Sequence, residues 1–453
     1  MSRSASSRAR VVVAGGGVAG LETLLALRVL AGERVEVTLV APELAFVNRS
    51  MAVGQPFKPQ RVRGLSLQRA TAEVDAHWHC GVLDRVEADR RCVVTRDGVE
   101  IPYDFLVLAV GARFDREWSS DGVLTYHDGD DAPAYRLLLD QIDHAGVSSI
   151  AFVKPGGASW PLPLYDLALL TATRCTTRDR SGVQLSLITP EPKPLGIFGD
   201  TASAAVRRLL EDSGVGLHAG SYGIPGHRGW VEIAPGDRGI RVDRVVTVPR
   251  LVGPRLRGIA CEHDGFIHTD THGRVTGLGG VFAAGDATTF PIKQGGLAAQ
   301  QADAVAETIA ALVGADVDPQ PFRPVLRGVL LTGAAPRYLR HELTGAGEHD
   351  SVISEQPLWW PPDKIAGRYL APYLSRQVGD AADVMPEGKY ARSIATMPDS
   401  FASDNAPVWG ELTDIPPVTA NGPRHRRPQH VPVDGHAPAA AAKVQGSVAR
   451  RAH

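Results

Sequence analysis

The feature that most constrains the fold is a glycine-rich turn near the N-terminus. An apolar run leads into Gly15-x-Gly17-x-x-Gly20, a helical run follows, and a second apolar strand occupies 35–40. Gly15 permits the tight turn, Gly17 lets the backbone approach a pyrophosphate, and Gly20 allows the helix to pack closely on the strand. The pattern predicts a Rossmann unit that binds a dinucleotide. The predicted ligands in this turn are Gly15, Gly16, Gly17, Ala19 and Gly20.

The acidic residue that usually ends the second strand of such a unit is missing here. Ala41 occupies its position, and Glu43 follows two residues later. Glu43 is therefore the candidate ribose ligand, with a solvated loop acid as the open alternative.

A second strand–turn–helix–strand unit spans 149–189, but its turn lacks the glycine pattern. When the unit is aligned by its helix, the three glycine positions fall on Ser159, Pro161 and Leu164. Pro161 has no N–H to donate to a phosphate, and a leucine opposes close packing of helix on strand. We therefore expect a retained fold with lost or altered NAD binding. NAD(P)H binding stays an open alternative, because Glu191 lies just past the second strand, where a ligand of the nucleotide ribose could stand.

Trp160 lies within the same turn, after Gly156 and Gly157. We expect its ring to pack the turn against a neighbouring part of the chain. Stacking of the ring on a bound ligand, which the two glycines would let approach, is the open alternative.

Two distant segments extend the first motif into a cofactor prediction. YDFLVLAVGAR (103–113) and GGVFAAGDATTFPIKQGGLAAQQADAVA (279–306) resemble the two other FAD signatures of the pyridine nucleotide-disulfide oxidoreductase superfamily. In that superfamily, the turn matched by Gly111 passes near the adenylate end of the cofactor. The aspartate of the pair matched by Gly285 and Asp286 binds the ribityl and phosphate region. The resemblance implies FAD and an α/β fold with two Rossmann-like FAD/NAD(P)-binding units, the second inserted in the first.

Within this superfamily the chain is most similar to the sulfide:quinone oxidoreductase and type II NADH dehydrogenase branch, over about 1–315. Relatives in the sulfide:quinone branch place a lysine near the flavin just after the Gly-Asp pair, and Lys293 stands at that position. A cation there stabilises negative charge on the reduced flavin. The resemblance implies that Lys293 is a cofactor ligand and the catalytic residue. A surface lysine in a loop is the alternative.

Four cysteines lie far apart without a CxxC pair, which argues against a local redox disulfide and a structural zinc site. They are Cys80, Cys92, Cys175 and Cys261, the last two expected in a loop after a helix and in a strand. We expect four buried thiols. Sulfide oxidation by persulfide chemistry needs cysteines beside the flavin, so we do not expect it here.

Composition changes along the chain suggest five parts. The predicted boundaries are 10–130 and 261–315 for the two parts of the FAD-binding domain, 131–260 for the second Rossmann-like domain, 316–414 for a C-terminal domain and 415–453 for a disordered tail. The C-terminal domain is predicted to begin with a hairpin. Its Trp/Tyr-rich segment 357–376 suggests an apolar lip for a quinone or membrane, with domain packing or a dimer interface as the alternative.

The remaining composition sets limits on partners. A formal net charge of −2 gives no reason to expect nucleic acid, and no apolar run is long enough to span a bilayer. We expect a cytoplasmic protein, with peripheral membrane contact and a homodimer left open. His77 and His79 share a strand face, but no metal is predicted because a third clustered ligand is lacking.

The sequence therefore favours an FAD-dependent oxidoreductase that passes electrons from an unidentified donor through FAD to a quinone or similar carrier. Two alternatives stay open. One is an NAD(P)H dehydrogenase with a divergent nicotinamide site, and the other is a non-catalytic flavin-binding redox sensor.

Overall fold

The protein is described here by a computed structural model that covers residues 8–58, 64–115, 118, 121–236, 238–343 and 351–377. The strands are β1 (Ala9–Ala14), β2 (Val35–Val40), β3 (Ala45–Val47), β4 (Gly64–Ser66), β5 (His77–His79), β6 (Leu83–Glu87), β7 (Cys92–Thr95), β8 (Glu100–Pro102), β9 (Phe105–Leu108), β10 (Arg113–Asp115), β11 (Val123–Thr125), β12 (Ser149–Val153), β13 (Gln184–Ile188), β14 (Val215–His218), β15 (Tyr222–Pro225), β16 (Trp230–Ala234), β17 (Arg238–Arg241), β18 (Arg244–Thr247), β19 (Arg250–Val252), β20 (Val281–Ala283), β21 (Val325–Leu330), β22 (Arg337–Glu342) and β23 (Ser351–Ser354). The helices are α1 (Val18–Leu30), α2 (Leu67–Glu73), α3 (Ala132–Asp143), α4 (Leu162–Thr177), α5 (Gly199–Asp212), α6 (Gly295–Leu312) and α7 (Leu370–Gln377).

The first sheet is parallel throughout and has the strand order β20-β9-β1-β2-β5. Its central strands are continuous apolar runs, because both faces are covered, one by α1 and α6 and the other by β6 and β7. An antiparallel meander, β6-β7-β8, lies between β5 and β9 in the chain. Strand β20 joins the sheet only after the whole second unit has intervened.

The second sheet is also parallel, with the order β11-β18-β12-β13-β14. All of its strands fall between β9 and β20, so this unit is inserted in the first. A smaller antiparallel sheet, β15-β16-β17, lies between β14 and β18 in the chain. The predicted fold class, with two Rossmann-like units and the second inserted in the first, is confirmed.

The C-terminal part consists of the antiparallel sheet β21-β22-β23 and helix α7. The predicted hairpin is formed by β21 and β22. Trp359 is buried, donates from Nε1 to the carbonyl of Asp363 at 2.9 Å, and stacks edge-on with Tyr338. Ile365 and Tyr373 are buried in the core of the first unit. These four aromatic and apolar side chains therefore serve packing within the molecule. The predicted tail, 415–453, lies outside the described residues.

Within the described ranges, no helix combines the length and the hydropathy needed to cross a membrane.

A buried carboxyl pair fixes α7 on the first unit. Glu22 of α1 has no exposed surface, and its carboxylate accepts hydrogen bonds from the backbone N–H groups of Tyr369 and Leu370 at 2.7 and 2.8 Å. Burial raises the pKa of Glu22 to about 6, because those two hydrogen bonds offset the loss of water only in part. Burial and the charge of Glu22 together raise the pKa of Asp303, on α6, well above its ordinary value.

This pair predicts a pH dependence of stability. A carboxyl whose pKa rises on folding, here from 4.5 to about 6 for Glu22, stabilises the fold below pH 4.5 and loses that contribution as pH rises through 6. We expect Glu22→Gln to flatten the stability curve across this interval. The measurement is chemical denaturation at several pH values, with the exposed Glu33→Gln as control. Parallel curves for wild type and Glu22→Gln would contradict the assignment.

Candidate cofactor site

The glycine turn between β1 and α1 is built by contacts that exclude side chains. A Cβ on Gly20 would lie 1.8 Å from the carbonyl oxygen of Gly15. Gly15, with a φ of +118°, would place a Cβ 2.2 Å from the carbonyl oxygen of Ala109 on the loop after β9. A Cβ on Gly17, by contrast, meets no atom within 4 Å. The turn is therefore closely packed against backbone at Gly15 and Gly20 and open at Gly17, where a pyrophosphate needs space.

The N-terminus of α1 is free to bind an anion. Gly17 is its N-cap, no side chain caps it, and its first turn holds no acidic residue. Backbone N–H groups and the positive end of the helix dipole thus face the open side of the turn. Glu43 is exposed, and its Oε2 lies 3.7 Å from the position a Cβ on Gly16 would take. Its carboxylate therefore stands beside the turn, where a ribose ligand is expected.

The two other predicted signatures meet the turn in space. Gly111 has a φ of +70° and open space at its Cβ position. A Cβ on Gly285 would lie 3.1 Å from the Cβ of Ala19 and 3.3 Å from that of Ala298, so the end of β20 touches the first turns of α1 and α6. Asp286 follows, half-buried, and burial raises its pKa.

Lys293 is not a surface residue. It is 3% exposed, its Nζ donates to the carbonyl of Thr288, and the same atom lies 3.7 Å from the ring centroid of Phe266. Burial lowers its pKa to about 8, while the charges of Asp286 and Asp264 oppose that shift. The alternative of an exposed loop lysine is therefore wrong. The sequence reasoning missed Phe266, because nothing in its local pattern distinguishes it from an ordinary core residue.

The turn of the second unit does not fit a dinucleotide. Pro161 is the N-cap of α4 and offers no N–H, and Leu164 is fully buried in the core of the second unit. The ring of Trp160 packs against Phe198 with 6.1 Å between centroids. The packing interpretation of Trp160 is therefore the one that the structure supports.

One carboxylate oxygen of Glu191 is bound by side chains of the second unit. Its Oε2 accepts hydrogen bonds from the Tyr165 hydroxyl at 2.7 Å and the Thr189 hydroxyl at 2.8 Å. Burial raises its pKa, and the charge of the buried Lys154 offsets part of that rise. Its Oε1, by contrast, is buried and has no hydrogen-bond partner among the described residues, so the possibility that Glu191 binds a nucleotide ribose stays open.

The cysteines differ in part from expectation. All four are free, but only Cys92 and Cys175 are buried, whereas Cys80 and Cys261 are exposed. Cys175 lies within α4 rather than after it, and Cys261 lies in a loop rather than in a strand. The sequence did not predict which thiols are exposed, because the exposure of a side chain depends on residues that are distant in the chain.

One group with metal-ligand chemistry escaped the sequence reasoning. Ligand atoms of His127, Asp128 and Asp131 lie within 4.8 Å of one another. The two carboxylates already accept backbone N–H groups in a capping box, with Asp131 also bound to the N–H of His127 at 2.8 Å. These contacts explain the cluster without a metal, because the carboxylates cap the start of a short helix.

His77, which the sequence suggested as one of a pair of strand histidines, is exposed, and its Nε2 lies 3.4 Å from Oε1 of Glu36.

Comparison with known proteins agrees with this geometry. Residues 2–130 match the family model described as pyridine nucleotide-disulphide oxidoreductase. The match covers this N-terminal region and not the rest of the chain. Members of that family and the relatives of this chain are FAD-dependent oxidoreductases, so the predicted enzyme class and the predicted FAD cofactor are confirmed at this level.

Two curated proteins are similar to this chain in sequence. Sulfide-quinone reductase of Aquifex aeolicus is 27% identical over 207 residues, which is 45% of this chain and 47% of that protein. The alignment thus spans about half of the length of the Aquifex protein. The ferredoxin reductase component of chlorobenzene dioxygenase from Cupriavidus sp. is 25% identical over 333 residues, covering 68% of this chain and 74% of that protein.

Solved structures share the fold of this oxidoreductase. The sulfide:quinone oxidoreductase of Aquifex aeolicus superposes with a TM-score of 0.69 at 19% identity, covering 76% of this chain and 86% of that one. NDH2 from Plasmodium falciparum, solved with NADH, gives a TM-score of 0.51 at 15% identity, covering 62% and 64%. The similarity to the predicted branch is confirmed.

The glycine turn supplies a matched pair of variants. Gly17→Ala should leave folding unchanged, because its Cβ enters open space, but should weaken FAD binding by about 1–3 kcal/mol through overlap with the pyrophosphate. Gly20→Ala should lower the free energy of unfolding by about 3 kcal/mol, because its Cβ overlaps a carbonyl oxygen. Thermal unfolding without FAD and FAD titration by fluorescence separate the two effects. Equal FAD affinity in wild type and Gly17→Ala would show that the turn does not hold the pyrophosphate.

Proposed function

We propose that this protein is an oxidoreductase that passes electrons from a small-molecule donor, through FAD, to a quinone or a similar carrier. The observation that carries the proposal is the burial of Lys293, which lies just before α6. The negative charge of Asp286 acts on its ammonium group. Burying a cation is costly, and such a lysine is typical of a site that stabilises developing negative charge. A protein that only stored a flavin would have no need for this group.

The residues present fit FAD. The open backbone at Gly17 and the N-terminus of α1 would hold the pyrophosphate, Glu43 a ribose, and Gly111 the adenylate end. Asp286 would hold the ribityl region, and Lys293 the pyrimidine edge of the flavin. FAD, when bound, supplies the capacity to take up a hydride or electrons and release them singly or in pairs. The protein contributes position, exclusion of water and the positive charge of Lys293.

Two features of the protein restrict the choice of electron donor. The second unit lacks the glycine turn of a standard nicotinamide nucleotide site, since Pro161 and Leu164 fill that turn, and one oxygen of Glu191 is bound to Tyr165. The four cysteines are single thiols scattered over both units, which does not favour transfer of sulfide sulfur. We therefore propose a donor that is neither NAD(P)H nor sulfide.

The acceptor is proposed from the relatives. The Aquifex protein is named for a quinone, and the Cupriavidus protein is named as a ferredoxin reductase. Both names describe transfer to a carrier that accepts electrons away from the flavin. A quinone is the proposed acceptor here, because the Aquifex protein named for a quinone is similar to this chain in sequence as well as in fold.

An anaerobic titration of the flavin-containing protein tests this function directly. We expect NADH and NADPH to leave the visible flavin absorbance unchanged, dithionite to bleach it, and a short-tailed benzoquinone to restore it rapidly. Free FAD reduced in the same way is the control for direct reaction. Rapid bleaching by either nucleotide would make the protein a nicotinamide dehydrogenase. A reduced flavin that the quinone oxidises no faster than free FAD would favour a redox sensor.

Lys293→Met tests the role of the buried lysine. We expect its flavin to have a lower reduction potential, because a charged hydrogen-bond donor to the reduced flavin contributes about 2 kcal/mol. Lys293 is a cation below its pKa of about 8, so the difference from wild type should shrink as pH rises through 8. The measurement is dye-coupled potentiometry on both sides of that pH. Lys193→Met, an exposed lysine paired with Asp200, is the control. A difference that persists unchanged above pH 8 would contradict a charge effect.

A further inference from the structure

A buried ion pair joins the second unit to the C-terminal segment. Asp166, in the first turns of α4, has no exposed surface, and Lys364 is 6% exposed. The Lys364 ammonium group donates to Oδ2 of Asp166, while Oδ1 accepts the backbone N–H of Leu331 at 2.7 Å. Both carboxylate oxygens thus have a hydrogen-bond donor, one the ammonium group and the other the N–H of Leu331, directly after β21. Three separate parts of the chain meet at one carboxylate.

The same lysine is tied to the start of α6. Gln294 caps that helix, with Oε1 accepting the N–H of Leu297 at 2.9 Å. Its Nε2 donates to the carbonyl of Lys364 at 3.4 Å and to that of Arg327 at 3.2 Å. Gln294 directly follows Lys293. The backbone that carries the ion pair is therefore bound to the helix start that carries the proposed flavin lysine.

The segment around Lys364 is also bound to the first unit from the other side. Asp363 accepts the N–H of Lys364 at 2.6 Å through Oδ1, and its Oδ2 accepts the side-chain amide of Asn48 at 3.2 Å. Asn48 caps the short 3-10 helix after β3. Lys364 is thereby held from α4, α6 and this loop together.

Such a pair is better suited to fixing geometry than to adding stability. Removing two charges from water costs several kcal/mol, and their attraction returns most of that cost without a large surplus. Apolar residues of similar size often replace buried pairs with no loss of stability. What an ion pair imposes, and apolar residues do not, is one defined separation and direction between its two partners.

We propose that Asp166 and Lys364 are positioning residues that hold the second unit and the C-terminal segment at a set distance from the start of α6. That distance fixes the surroundings of the flavin ring beside Lys293, and with it the rate at which a quinone reoxidises the reduced flavin. The proposal rests on the proposed function. Neither residue is assigned a contact with the flavin or a step in the reaction.

The test compares single and double variants in the full-length, FAD-loaded protein. Asp166→Asn and Lys364→Met each leave one partner buried alone, so we expect both to lose stability. Asp166→Leu/Lys364→Met replaces the pair by apolar side chains of similar size and should be more stable than Lys364→Met alone, although the N–H of Leu331 loses its acceptor. The double change at the exposed pair, Asp200→Leu/Lys193→Met, is the control.

The decisive readouts are the flavin reduction potential and the rate of reoxidation by a short-tailed benzoquinone. We expect the stable double variant to have a shifted potential and a reoxidation rate about tenfold lower, since small misplacements of reacting groups cost rate steeply. Wild-type potential and rate in that variant would overturn the proposal and leave the pair a structural one. Failure of the proposed function shows itself separately, as a wild-type protein that the quinone does not reoxidise faster than free FAD.

If the double variant does not fold, Lys364→Arg takes its place. The guanidinium keeps the charge but changes the length and shape of the group that meets Asp166. A folded Lys364→Arg protein with a shifted potential would support positioning by the pair. The wild-type potential and rate in that protein would overturn it.

Discussion

Helix α1 approaches strand β1 so closely that Gly20 touches the carbonyl of Gly15, and Gly15 in turn lies against the carbonyl of Ala109. Backbone meets backbone at both points, with no volume left for a methyl group. This contact sets the direction of α1 and brings its N-terminus over the ends of β1 and β9. Because α6 packs along α1 and follows β20, the same contact also places Gly285 against Ala19. The candidate cofactor site is the result of that chain of contacts.

Local pattern was sufficient to predict much of the fold. β2 has the bounds expected from its apolar run, and the insertion of one unit in the other agrees with what the family resemblance implied. The strand β5 joins the parallel sheet beside β2, although it directly precedes the meander in the chain. Alternating apolar residues define a strand, but they do not define which neighbour it pairs with.

The features that sequence reasoning could not supply are pairings between distant residues. Glu22 meets the N-terminus of α7, and Asp166 meets Lys364, across separations that no local window contains. Glu191 shows the same limit in another way. Its place after a strand suggested a ribose ligand, but not that Tyr165 and Thr189 would bind one of its two carboxylate oxygens. The second unit keeps its sheet although its turn has changed, because strand pairing does not depend on what the turn binds.

The position of β20, late in the chain, also determines the order in which the parts of the protein are completed during synthesis on the ribosome. All five strands of the second sheet, up to β18, leave the ribosome before β20, so that sheet has every partner it needs while the first sheet is still incomplete. Gly285, Asp286 and Lys293 emerge after β20, with the last part of the site. Completion of the candidate cofactor site is therefore a late event of biosynthesis. Nascent chains cut short before β20 would contain every strand of the inserted sheet but lack this last part of the site.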